Sequence, residues 1–209
     1  MMTEDLIVRH PHVFHVASAA SWQSIQEHGL LSTAALLNLH NVGPEERDRL
    51  LRHKREESTQ LFTPGLGMAV IRDQKPLKFI QQKIDPSSSL EAFLEALSSR
   101  IFLAPTRDRL ERLLKAREYR GSPQVVLTLD TRALVAVYEP VIGLCRFNSG
   151  ACTQINHPIR GHESWQSISS YPYDEYRSRY KGEALVELTV PEAVPDALEM
   201  TTRVEHITV

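Results

Sequence analysis

Residues 14 to 32, FHVASAASWQSIQEHGLLS, constrain the fold most tightly, because a strand, a capped helix and a glycine stop come one after another with almost no slack. Over His12–Ala17, Val13, His15 and Ala17 share one strand face, and Phe14 and Val16 share the other. Ser18 or Ser21 can cap the next helix, whose Trp22 and Ile25 are spaced to face a core. Gly29 stands where helices end on glycine, and Ser32 or Thr33 starts a short second helix, Ala34–Leu39.

The pattern changes along the chain. Pro44 suits a first helical turn, and the polar run EERDRLLRHKREE reads as a solvated helix. Loop signals precede a strand at Met68–Ile71, and helices are expected near Leu77–Lys83 and Leu90–Leu97. After Arg100 strands dominate. RIFLAP stops at Pro105, QVVLTLD is a buried strand, and Ala133–Tyr138, Val141–Arg146, Cys152–Ile155, Ala184–Val190 and Arg203–Val209 are further candidates. Thr106 caps an amphipathic helix between the first two. The expectation is an α+β fold in one domain, residues 1–209, with helices mainly from the N-terminal half packed on a mostly antiparallel sheet system. Residues 41–66 would form a polar helical or lid insertion.

Composition narrows the class. Hydrophobic residues make up 42%, charged residues 24% and the net charge is −2, so nucleic-acid binding would need a local basic patch. No apolar run approaches a membrane span, and the N-terminal stretch MMTEDLIVRHPH has no signal-peptide apolar region. Cys145 and Cys152 match neither a zinc spacing nor a disulfide framework. A cytoplasmic protein with reduced thiols is expected, with no membrane partner.

Glu187, in LVELTV, shares a strand face with Leu185 and Thr189. A carboxylate in mid-strand is costly unless it is solvated at an edge, paired with an arginine or turned into a wet cleft. His15 poses the same question. HPHVFH offers imidazoles at 10, 12 and 15, but no acidic or cysteine partner stands at ligand spacing, and no metal is expected. Arg72, in VIRDQKPL, could form a local ion pair or grip a phosphate. Asn148–Ser149–Gly150 could be a plain turn, or could bring amides and a hydroxyl to a ligand. The helix from Thr106 carries Arg107, Arg109, Arg112, Lys115, Arg117 and Arg120, with Arg100 just before: a solvated face, or a phosphate footprint. Phosphate-loop, GxGxxG, GxSxG and zinc-protease motifs do not occur.

Two stretches carry a resemblance. FHVASAASWQSIQEHGLLS resembles the first strand and helix of the ADP-ribosyltransferase superfamily, with DarT-like DNA ADP-ribosyltransferases the nearest characterised likeness. ELTVPEAVPD, from Glu187, resembles the DarT segment that bears the catalytic glutamate, and the tRNA 2′-phosphotransferases share the opening pattern. Through MAVIRDQKPL, RLERLLKAREYR, NSGA, YPYDEYR and VELTVPEAVPD, most of the chain also resembles a bacterial family of unknown function. The superfamily resemblance implies a split sheet whose cleft holds NAD, which is consumed as substrate. It implies His15 on the nicotinamide ribose and Arg72 on the phosphates, with Ser18, Asn148 and Ser149 near the cofactor. Glu187 would hold the ribose 2′-hydroxyl and stabilise the sugar cation. An aromatic ring on nicotinamide would be Phe102, Tyr119 or Tyr138. The acceptor could be nucleic acid or protein. A non-catalytic nucleotide- or nucleic-acid-binding protein and an RNA 2′-phosphotransferase are the alternatives.

Overall fold

The computed structural model describes residues 1–116, 121–180 and 183–208. The chain opens with α1 (Thr3–Arg9), β1 (His12–Ser18), a 3₁₀ turn at Ala19–Ser21, α2 (Trp22–His28), β2 (Leu30–Leu31) and α3 (Thr33–Leu39). Then come α4 (Pro44–Arg52), β3 (Thr59–Thr63), β4 (Gly67–Ile71), α5 (Leu90–Ser98), β5 (Arg100–Leu103) and α6 (Arg107–Leu114). The last part holds β6 (Pro123–Asp130), α7 (Thr131–Tyr138), β7 (Gly143–Cys145), α8 (Tyr173–Arg179), β8 (Glu187–Pro191), β9 (Ala193–Val194) and β10 (Thr201–Thr208).

The result is a mixed α+β fold with several short antiparallel sheets. One three-stranded sheet has the order β1-β6-β10 and the other β5-β8-β7. β2 pairs with β9, and β3 with β4. Val13, Val125, Leu127 and Leu129 from the first sheet and Ile101, Leu103, Leu188 and Val190 from the second meet in one core. The opposite face of the first sheet, with Phe14 and Val126, packs on Leu110 and Leu114 of α6.

Among the described residues, one backbone pair joins the two sheets. Phe14 N–H donates to Ala104 O at 2.9 Å, and Ala104 N–H donates to Phe14 O at 2.8 Å. An antiparallel ladder would next join Val16 to Phe102. That rung is not made among the described residues; the Phe102 carbonyl bonds the His15 ring instead, at 3.0 Å from Nδ1. The strands part there, with a side chain standing where backbone would have paired.

Local chemistry accounts for most of the helices. Ser32, Ser89 and Thr106 accept from the N–H groups of Ala35, Ala92 and Arg109, as expected of caps. Ser18 caps the 3₁₀ turn, whereas Ser21 accepts from Val70 N at 3.0 Å and so ties the β3–β4 hairpin to the start of α2. In α4, Leu50 and Leu51 are buried, so part of the polar segment 41–66 packs inward, and the same segment supplies β3, a strand that its polar composition does not announce. Ala133–Tyr138 is helix α7, not strand: Asp130 accepts from Ala133 N at 2.9 Å and caps it, and the buried Leu134 and Val135 lie on one side. Cys152–Ile155 is irregular, because Cys152 N–H and C=O bond Pro76 and Phe79 singly rather than in a ladder. The helix expected at Leu77–Lys83 is a 3₁₀ turn at Ile80–Lys83, the strand over Val141–Arg146 shortens to β7, and α1 and α8 come in addition to the expected helices. Residues 117–120 of the basic helix and Val209 lie outside the described residues.

Gly29 caps α2 with φ 71° and ψ −156°, a conformation open essentially to glycine alone. A Cβ there would stand 2.4 Å from Val194 O and 2.5 Å from Pro195 O. Gly29→Ala is therefore expected to cost about 2–4 kcal/mol in urea denaturation, while Gly43→Ala, with open space around it, stays within about 0.5 kcal/mol. Equal midpoints for the two variants would contradict the packing of β9 on this turn.

Candidate functional site

The residues singled out in the sequence form two groups on either side of β5. The first surrounds Glu187, at the start of β8, the middle strand of its sheet. Glu187 is only 8% exposed, so it is neither a solvated edge residue nor open to a wide cleft. Ser149, fully buried, holds both carboxylate oxygens: its hydroxyl donates to Oε1 at 2.6 Å and its N–H donates to Oε2 at 3.3 Å. Burial pushes the Glu187 carboxyl up to about 7, against the lowering influence of the Ser149 bonds, the Trp165 indole and the Arg100 guanidinium. The Trp165 Nε1–H itself has no hydrogen-bond partner among the described residues.

Arg160 supports the loop over Glu187. It is completely buried, with its guanidinium 4.4 Å from the Phe147 ring centroid. Nη2 donates to Ala151 O at 2.6 Å and to Asn148 O at 3.4 Å, and Nη1 donates to Pro158 O. Residues 148–151 are thus clamped from behind while Ser149 presses on the carboxylate. Asn148 contributes its carbonyl to this clamp. Arg100 lies over Trp165, 4.5 Å from the ring centroid, and donates to Thr189 Oγ1 at 3.2 Å. Burial and the neighbouring Glu187 charge raise the Cys145 thiol far above its ordinary range, which leaves it protonated and unsuited to nucleophilic attack.

The second group lies where β1 and β5 part. Burial lowers His15 to about 4, opposed by the Phe102 carbonyl and assisted by the nearby Arg72 charge. The ring is therefore neutral at pH 7, and with the Nδ1 hydrogen donated to Phe102, Nε2 is left as an acceptor. Arg72 donates from Nη2 to Gln124, which is buried opposite Ser18 on β6. Ser18 Oγ accepts from Ala20 N at 3.4 Å.

Arg55 fixes the Arg72 backbone. It is buried beneath the β4 end, donating from Nε to Arg72 O at 2.9 Å and from Nη1 to Ser98 Oγ at 3.1 Å and to Leu50 O. Gln74 accepts from its N–H and donates back to its carbonyl at 2.7 Å. Sequence reasoning missed Arg55 and Arg160, since nothing local marks an arginine for burial.

Phe102 joins the groups. Its carbonyl receives His15, its side chain packs against the cluster that holds Phe93 and Trp165, and it stands opposite Thr189, two residues from Glu187. No direct contact links His15 to Glu187 among the described residues. Of the other aromatic candidates, Tyr138 spends its hydroxyl on Asp196, and Tyr119 lies outside the described residues. The basic helix is paired: Arg107 with Glu205, Arg109 and Arg112 with Glu183, and Lys115 with Glu111. Over its described residues, most of the charge is therefore compensated. Among the described residues no cluster of His, Cys, Asp and Glu could hold a metal, and no helix is long and apolar enough to cross a membrane.

Fold and site together define an α+β protein with a caged carboxylate beside the break between two sheets. The chain belongs to a family of unknown function, DUF7002, whose model matches residues 11–201 and so spans both groups. No curated protein matches it.

The two perturbed groups leave opposite marks on stability. Folded Glu187 keeps a proton that the unfolded chain releases, so its contribution falls as pH rises from 4.5 to about 7. Folded His15 refuses a proton that the unfolded chain accepts, so stability is lost as pH falls from 6.5 toward about 4. Glu187→Gln is expected to flatten the decline in Tm between pH 4.5 and about 7 and to recover up to about 3 kcal/mol by pH 8 relative to pH 4.5. Parallel Tm–pH profiles for variant and wild type would count against the buried carboxyl.

Proposed function

We propose that the chain is an ADP-ribosyltransferase that consumes NAD, breaking the nicotinamide–ribose bond and passing ADP-ribose to a nucleic-acid or protein acceptor. The observation that carries this reading is Glu187: a carboxylate on a central strand, withdrawn from water, with its ionisation near neutrality. NAD supplies a ribose whose nicotinamide departs with the bonding electron pair, so positive charge builds on the sugar as in glycoside cleavage. A preorganised anion in a dry site stabilises such charge far better than one in water.

The donor set suits that ligand. The Nε2 of neutral His15 accepts from a ribose hydroxyl, and the Arg72 guanidinium matches a diphosphate in charge and shape. Phe102, between the groups, is the ring best placed to lie against nicotinamide. Ser18 lies on the rim near Arg72. Asn148 and Ser149 form the loop that must yield Glu187, and the ribose 2′-hydroxyl takes over the bond now made by Ser149 Oγ. The split-sheet fold of the superfamily is part of this same proposal, supported by the backbone pair between the two sheets and by the likeness of residues 14–32.

One observation favours a second reading, a non-catalytic nucleotide- or nucleic-acid-binding protein: both oxygens of Glu187 are already engaged by Ser149. Labelled NAD separates the two. Transfer chemistry predicts nicotinamide release with label on the acceptor, reduced at least about 100-fold in Glu187→Gln. Activity also rises with pH through about 7 as Glu187 ionises. Binding of NAD without release, or full activity in the variant, would establish the second reading or remove Glu187 from the chemistry. A cyclic phosphate on ADP-ribose, formed only with 2′-phosphorylated RNA, would mark phosphotransfer instead.

A further inference from the structure

Two segments of this mildly acidic chain contain no Asp or Glu at all: residues 74–84, QKPLKFIQQKI, and residues 143–162, GLCRFNSGACTQINHPIRGH. The fold knits them together. Cys152 N–H donates to Pro76 O at 2.9 Å, Phe79 N–H donates to Cys152 O at 2.9 Å, and Arg160 N–H donates to Lys83 O at 2.7 Å. Ile84 bridges Arg160 in parallel. The joined surface carries Lys75, Lys78 and Lys83, none of which has a carboxylate within ion-pair distance among the described residues. Asp73 and Glu163 lie at its margins, where Asp73 accepts from Lys75 N–H and from Ser58; Asp85 lies in the joint itself, its N–H on Arg160 O at 2.8 Å, with its carboxylate accepting from Ser87. Phe79 is 37% exposed beside them.

We propose that this acid-poor face binds single-stranded nucleic acid. Lysines free of internal partners are the groups that gain most from phosphate, because no ion pair must first be broken. An exposed ring among them gives a base something to stack on. Gln81, Gln82, Gln154 and Asn156, all exposed, supply amides that suit base edges and that would be costly to press into lipid. α6, which has more arginines, is the poorer candidate because Glu183, Glu205 and Glu111 neutralise it. The face is also continuous with the 148–151 loop on Glu187, through Cys152 and Arg160. A strand bound there reaches the loop whose Ser149 covers the carboxylate. Only the modification of that strand rests on the proposed transferase chemistry, since binding itself needs no NAD.

The test is fluorescence anisotropy of labelled single-stranded RNA and DNA oligonucleotides, without NAD, using the whole chain. Three lysine–phosphate contacts predict affinity falling about 20-fold between about 50 and about 200 mM salt. Lys75→Gln/Lys78→Gln/Lys83→Gln, a triple change at surface positions, is expected to lose at least about tenfold at low salt and most of the salt slope. No binding at low salt, or unchanged binding by the lysine variant, overturns the proposal. Sedimentation with phosphatidylserine vesicles and no oligonucleotide binding would reassign the face to a lipid surface. Because nicotinamide release is read separately, strand binding without release would sink the transferase reading and leave this one standing.

Discussion

Two reciprocal hydrogen bonds between Phe14 and Ala104 hold the halves of this protein in register. Each sheet has three strands, and this pair sets β1 beside β5 while the apolar residues of both sheets close on one core. The residue next along β1 matters as much as the pair. His15 occupies the Phe102 carbonyl, so the ladder cannot extend and the carbonyl is not left bare. The break is thus a satisfied structure, and the ring that satisfies it is held neutral with Nε2 left as an acceptor.

Two buried arginines brace the loops that flank this break. Arg55 gathers the ends of α4, β4 and α5, and Arg160 gathers residues 148–151 and 158. Both give their hydrogen atoms chiefly to backbone carbonyls that irregular segments would otherwise leave unpaired. A guanidinium serves this role well because its donors diverge in a fixed plane. Burial lowers the proton affinity of both, Arg55 to about 10, yet each remains charged at neutral pH.

The opening strand, helix and glycine turn are legible in the sequence because each carries its own short-range signal, alternation, apolar spacing and a C-terminal glycine, even though β1 finds its partner far along the chain in β6. The same holds for the caps at Ser32, Ser89 and Thr106. α7 reads as a strand because ALVAVY is rich in β-branched residues, and the short-range signal against a strand, Asp130 as a cap, also ends β6. Glu187 stands out as a carboxylate that a strand cannot hold cheaply, and burial does shift it. Its partner Ser149 is 38 positions away, however, and no spacing rule joins them. The charge balance of α6 is hidden for the same reason: Glu183 and Glu205, which pair with Arg109 and Arg107, come from distant sequence and only the fold adds them to the count.

Because Ser149 is tethered to the chain, its hydroxyl faces Glu187 at a high effective concentration. A hydroxyl arriving from outside does not gain a hydrogen bond there; it exchanges for one of similar strength, and the number of bonds to the carboxylate stays constant. Glu187 then contributes little to how tightly a neutral ligand is held at rest. Its influence is kept for a species whose charge differs from that of the serine it replaces, which makes this carboxylate selective for a change in charge rather than for a shape.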